Sequence, residues 1–367
     1  MKAFSELGIR EYGQRGNMNA VAGCAILAIT AGIVGFMPVQ TWAENRPTPV
    51  SNGDAAFAQW ASKSLHRLSS LDMNAPATDL LPLRNMISNA NIVMFGEGQH
   101  FATEPLAFRN RLFKYLVEEL GFTAIAIESG ATEGRVVHDY ILGGPGDIAS
   151  ALPQNKELIA WMRDYNANPK HGQKVEFFGF DIPGSPSNIS ASRGADTALN
   201  ETLHYLQKVD APEAEALKAR LGSVLPATHW IARDYLKFSR ETRDALTVVV
   251  ADIVSLLERR QLRYVAKSTV DAYEWAYRDA IGARQIDYWM RLMPVGAKEQ
   301  DYRTWSGEQF VLRDRIMADN ARWIVNRLGK GTKVLFFAAL AHTATAPYAG
   351  DGDQHVPFGT YMKTAYG

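Results

Sequence analysis

Four short apolar runs in this chain each stop at acids or histidines, and that pattern limits the fold more than any other feature. "NIVMF" (residues 91–95), "TAIAI" (123–127), "VEFFGF" (175–180) and "KVLFFAAL" (333–340) are rich in β-branched and aromatic residues. Continuous apolarity over so short a run suits a strand buried on both faces, as in a parallel sheet covered by helices. Between the first two lies "EPLAFRNRLFKYLVEELGF", where Leu106, Leu112, Phe113, Leu116, Val117 and Leu120 keep helical spacing and Gly121 stands as a C-cap. Strand, helix, strand in that rhythm is a parallel βαβ unit. The expected fold is therefore α/β, with a mostly parallel β-sheet core flanked by helices.

From Leu199 to about Leu328 the pattern is helical throughout, as in "LTVVVADIVSLLERRQLRYV" and "EQFVLRDRIMADNARWIVNRL". The last segment opens with Ser306 and Gln309 in capping-box register and closes at Gly329. This reads as a large helical insertion, 199–328, dividing a core of residues 56–198 and 329–367. Its tryptophans, Trp230, Trp275, Trp289, Trp305 and Trp323, either line an apolar cleft or fill the core, the commoner fate of aromatics at helical spacing.

The strand ends carry the chemistry. Glu97 and His100 follow the first run, Glu128 the second, Asp181 the third and His342 the fourth. In an open parallel sheet the loops at the carboxyl ends of the strands gather into one crevice, where such folds place their ligands. One polar strand end is ordinary. Four that bring acids and histidines and no lysine point to a site.

Familiar signatures are missing. There is no G-x-S-x-G elbow, "GEGQHF" lacks the third glycine of a dinucleotide loop, no Walker G-K-[ST] occurs, and "GGPGD" reads as a turn. With no nucleophile in view, direct attack by water remains. His100 can take a proton from that water near neutral pH, with Glu97 or Glu128 fixing its tautomer. His342 can bond a developing oxyanion or protonate a leaving alcohol. The same two histidines and their carboxylates would also be enough to ligate zinc, and the residues alone leave both readings open. His66, His138, His171, His204, His229 and His355 have no partner pattern and read as ordinary.

Lys plus Arg and Asp plus Glu both number 39, so no net field draws the chain to nucleic acid or an anionic membrane. "AVAGCAILAITAGIVGFMPV", Ala20 to Val39, is uncharged, follows Lys2, Arg10 and Arg15, and precedes small residues at Thr41 and Ala43. It reads as a signal peptide over residues 1–43, with an uncleaved anchor as the rival. "ENRPTPVSNGDAA" reads as a linker, residues 44–55, before the fold. Cleavage would remove Cys24, the single cysteine, and with it any disulfide or Cys-metal site. The expected location is the periplasm or the medium.

Taken together, "VMFGEGQHFATEPLAFRNRLFKYLVEELGFTAIAIES", "VHDYILGG", "VEFFGFDIPG", "RDRIMADNARWIV" and "KVLFFAALAH" resemble the erythromycin esterase family, in its order and near its spacing. The resemblance implies a mixed α/β core with a large helical insertion. It also implies hydrolysis of a macrolide lactone by a His-activated water, with no metal or other cofactor. The family's functional positions fall on Glu97, His100, Glu128 and His342, with Arg109 and Asp181 as supports toward the substrate. Two departures stand out. Where the family pattern H-N-x-H has its second histidine, this chain reads "AHTAT", with Thr345. It also ends at "GTYMKTAYG", where the family is expected to run on into further strands, as a shortened member or a fragment would.

The expectation is an exported hydrolase of a carboxylic ester or lactone, taking a small-molecule substrate and tied to antibiotic resistance if that substrate is a macrolide. It has no nucleic-acid partner and no membrane contact beyond the signal segment. The alternatives are a catalytically defective relative that only binds a ligand, and a metallohydrolase on the same scaffold.

Overall fold

A computed structural model describes residues 52–100, 102–146, 153–183, 194–225, 235–296, 307–349 and 354–367. The expected signal segment, the start of the linker, Trp230, Trp305 and the capping residue Ser306 lie outside them. The chain divides into two compact units. The described part of the smaller one is built on helix α1 (Asn52–Ser64), which carries Phe57 and Trp60 at its surface.

The larger unit is built on a parallel sheet of four strands, β1 (Ile92–Glu97), β2 (Ala124–Gly130), β3 (Glu176–Asp181) and β4 (Val334–Ala339), in the order β1-β4-β2-β3. The last strand in the chain thus lies between the first two. Phe95 pairs with Phe337, and Glu97 with Ala339. Because all four strands run the same way, their carboxyl ends share one edge.

Successive residues of a strand face opposite sides of the sheet. On one side Ala124, Ala126, Phe178, Phe180, Val334, Phe336 and Ala338 form a core with Met317, Ala318, Ala321 and Ile324 of helix α11 (Gly307–Leu328) and Phe358 and Met362 of α13 (Phe358–Tyr366). On the other, helix α3 (Thr103–Leu120) sets the edge of Phe108 against Phe95, ring centroids 5.4 Å apart, and Arg109 over Phe337. Helix α3 ends where its sequence predicts, at Gly121, whose φ of 70° is a left-handed value that closes the C-cap at little cost to a glycine. Helices α2 (Leu81–Ile87), α4 (Ala131–Ile141) and α5 (Pro153–Ala167) complete this part.

The helical stretch comprises α6 (Gly194–Val209), α7 (Ala211–Val224), α8 (Arg240–Arg259), α9 (Gln261–Ala266) and α10 (Val270–Arg291), ahead of α11. It has an apolar core of its own, running from Leu206 and Leu217 through Val250 and Leu257 to Ile286 and Trp289. Ser239 and Thr269 cap α8 and α10, each accepting an amide three residues on, at 3.2 and 3.0 Å. Trp275 and Trp289 are core, and Trp323 packs against the sheet-side cluster. The fold is α/β, a parallel sheet flanked by helices with a large helical portion.

After β4 the chain turns into the short helix α12 (Leu340–Thr343) and a two-stranded hairpin, β5 (Tyr348–Ala349) and β6 (Gln354–His355). Helix α12 lies so close to β1 that a Cβ on Gly96 would stand 2.4 Å from Thr343 Oγ1 and 2.8 Å from Leu340 Cα. Only a glycine at that point lets the helix settle beside the strand ends.

Candidate active site

Three of the four strands deliver an acid to the shared edge. Glu97 closes β1, Glu128 lies in the last part of β2, and Asp181 closes β3. Glu97 is buried and its Oε1 lies 2.7 Å from Nδ1 of His100, three residues on. The His100 side chain is 50% exposed, so a strand-anchored carboxylate holds a ring that still meets solvent. The Glu97 hydrogen bond raises the affinity of His100 for a proton. Burial opposes this, and the nearby charge of Glu128 adds to it.

The other acids converge on a residue with no role expected from the sequence, Arg313 in α11. Its Nη2 donates to Glu128 Oε1 and to Asp181 Oδ2, both at 2.6 Å, and its Nε to Asp181 Oδ1 at 3.1 Å. Nη1 lies 2.8 Å from Nε2 of His342. The backbone closes the remaining positions, since Ala339 N–H donates to Glu128 Oε2 and Ile182 N–H to Asp181 Oδ1, both at 2.7 Å. Burial alone would push the Glu128 carboxyl up, but His342, Arg313 and the Ala339 amide outweigh it and hold it below the ordinary carboxylate range.

His342 is buried on α12 with its Nδ1 2.9 Å from Oδ1 of Asp314, the neighbour of Arg313. Both ring nitrogens therefore face protein groups. Arg313 can only donate, so its contact with Nε2 belongs to a neutral ring protonated at Nδ1. Glu128 Oε1, 3.5 Å from Nε2, is the acceptor that a charged ring would use. Burial and Arg313 lower the ring's proton affinity, but Asp314 and Glu128 overcome them and raise its pKa to about 9. Asp314 is fully buried. It also accepts the Phe358 amide at 2.6 Å, and His355 Nε2 comes within 3.0 Å of its other oxygen.

The six residues singled out from the sequence thus fall into three places. Glu97 and His100 form the half-exposed pair, and Glu128, His342 and Asp181 gather on Arg313. Arg109 stands apart on α3, buried, donating to Asn110 and Asn155 Oδ1 at 2.8 and 2.9 Å, with burial lowering its pKa to about 10. Neither Arg109 nor Asp181 reaches the surface. Thr345, at the position of the family's second histidine, is exposed. The carboxylates that could have held an ion, Glu128 and Asp181, give their oxygens to Arg313, and among the described residues no group of His, Cys, Asp and Glu is arranged as a metal cage.

A parallel sheet with imidazoles and carboxylates gathered at its strand ends is the setting in which such folds place a small-molecule site. The erythromycin esterase family profile matches residues 117–367, and the chain belongs to that family. The match takes in Glu128, Asp181, Arg313, Asp314 and His342, and it begins after Glu97 and His100. Erythromycin esterase type II of Escherichia coli is 28% identical over 79% of this chain and 69% of its own length. The Bacillus subtilis protein YbfO is 44% identical over 73% of this chain and 60% of its own. A solved structure of an erythromycin esterase mutant in its open conformation shares the fold, with a TM-score of 0.60 and 18% identity, over 80% of this chain and 71% of the other.

Proposed function

We propose that this hydrolase hydrolyses a carboxylic ester or lactone, a macrolide lactone among the candidates, by a water that His100 deprotonates. The observation that carries the reading is the Glu97–His100 pair, a buried carboxylate gripping Nδ1 of a half-exposed ring. With Nδ1–H donating to Glu97, the basic lone pair is on Nε2, and the carboxylate supports the imidazolium that forms. The proton of the water passes to Nε2 as its oxygen attacks the carbonyl carbon. The tetrahedral intermediate then collapses, the acyl C–O bond breaks, and the imidazolium returns the proton to the leaving alkoxide.

The test is to incubate the purified protein with macrolides and simple aryl esters and to follow products by mass spectrometry. Turnover should fall about 10²–10⁴-fold in His100→Asn, with melting unchanged. A folded variant that turns over as fast as wild type sinks the reading. Exposed Thr345 favours one second reading, a member that keeps the pocket and only binds. Measurable binding with no turnover of any ester would support it.

A further inference from the structure

The site contains a third imidazole, His355, which the proposed water attack does not use. His355 belongs to β6, and its ring packs against Tyr348 of β5, centroids 4.9 Å apart, and against Phe310 of α11 at 6.2 Å. It is buried and turns Nε2 toward Oδ2 of Asp314. The approach is close but bent, and among the described residues Oδ2 has no linear hydrogen bond. Asp314 is fully buried, and among the described residues His355 is the group set against the charge on that oxygen. Oδ1 meanwhile accepts from His342 and from the Phe358 amide. One carboxylate is thus held between two imidazoles, one at the Arg313 cluster and the other on the hairpin.

We propose that His355 is a positioning residue for the reaction: through Asp314 it holds the His342 ring with its Nδ1 proton toward Asp314 and its Nε2 edge toward Arg313 and Glu128. A carboxylate with an imidazole set against each oxygen is hindered from rotating. One held only at Oδ1 can swing that oxygen off the imidazole, and a ring so released can flip or exchange its tautomer. The Arg313 guanidinium, which touches Glu128, Asp181 and His342 together, would then lose one of its three anchors. The hairpin is in this way part of the site, although His355 does not touch the reacting atoms.

The activity half of this inference rests on the proposed ester hydrolysis, so the test also has an arm that does not need it. Imidazole ¹H–¹⁵N spectra of the full chain, with the His342 signals assigned by their loss in His342→Gln, report tautomer and proton exchange directly. In wild type the His342 Nδ1 proton should be protected and at low field. His355→Ala should broaden or lose it, and should lower kcat for an aryl ester about 10–100-fold with KM little changed. In His355→Gln the amide nitrogen takes the place of Nε2 and presents a donor to Oδ2. That variant should keep the His342 signal and lie closer to wild type in kcat than His355→Ala does. The proposal is overturned if His355→Ala retains both the signal and kcat, or if folded His355→Gln loses the signal as completely as His355→Ala. Should no tested ester be turned over, the spectra alone decide.

Discussion

Replacing Arg313 with methionine tests the electrostatic reading of the site most directly. The guanidinium is buried and donates to both oxygens of a fully buried Asp181 and to a nearly buried Glu128. Methionine fills much of the same volume but strands both carboxylates. Removing one partner of a buried ion pair costs about 3–5 kcal/mol, because the remaining charge is left uncompensated. The loss should depend on pH. In the wild type Glu128 is held below the ordinary carboxylate range, so its pairing stabilises the fold above about pH 4.5 and is lost only as the pH falls through that lowered value. In the variant, burial without the guanidinium raises the carboxyls, most of all Asp181, since Glu128 keeps its contact with His342. The folded state then holds protons that the unfolded state gives up above about pH 4.5, and the penalty grows as the pH rises. Urea denaturation at pH 7.5 and near pH 4.5 should therefore show a gap to wild type of about 3–5 kcal/mol that narrows on acidification. Arg84→Met is the control. Its partner Glu119 is 2.9 Å away, with both side chains about half exposed, and the loss should stay under ~1 kcal/mol. If Arg313→Met unfolds with wild type at pH 7.5, or if the gap does not narrow in acid, the assignment of Arg313 as the charge that holds the strand ends together is wrong.

Phe108→Ala, which removes a buried ring from between α3 and β1, should cost roughly 3–5 kcal/mol in thermal or urea melts. Asp279 on α10 accepts from Thr132 at 3.0 Å, and burial pushes its carboxyl up to about 7. Between about pH 4 and pH 7 the folded state therefore keeps a proton that the unfolded state has lost, and stability falls as pH rises; melts of Asp279→Asn should lack that slope, worth up to ~4 kcal/mol. Gly96→Ala must push α12 away from β1, costing ~1–3 kcal/mol in melts and disturbing the imidazole signal of His342 on that helix. For the proposed export, N-terminal sequencing of protein made in a bacterial host should find a start near Glu44, and intact Met1 on soluble cytoplasmic material would refute it.

The strands were legible because parallel strands buried on both faces are written as short apolar runs, and the acids after them because polar groups at such ends interrupt the pattern sharply. The helix between β1 and β2 was legible to its last residue, since only Gly121 offered the left-handed turn. What stayed hidden depended on distance along the chain. No local pattern says that β4 inserts between β1 and β2, and that placement is what brings the Ala339 amide to Glu128. Arg313 and Asp314 left a signal that went unread. They fall four and three residues before Met317 on a stripe that continues through Ala321 and Ile324, so two charges occupy the buried face of a helix. His355 left none, because its neighbours "DGDQHVPFG" carry no periodicity and its partner lies on another element.

The division of the site into two halves follows from these placements. Arg313 ties together groups from β2, β3 and α12 in a setting where nothing is free to turn, while His100 stands on the loop after β1, exposed enough to meet a substrate. The charges do not balance. Glu97, Glu128, Asp181 and Asp314 contribute four carboxylates, against the Arg313 guanidinium, a His342 ring whose pKa is raised to about 9, and Arg109 behind them. Such a field stabilises a cation at His100 and gains nothing from an anion beside it. The Glu97 bond and the charge of Glu128 act in that direction, and Arg313 only moderates them. In the proposed water attack these electrostatics would favour the proton leaving the water more than the oxyanion that follows, whose negative charge would have to be met by donors other than His342.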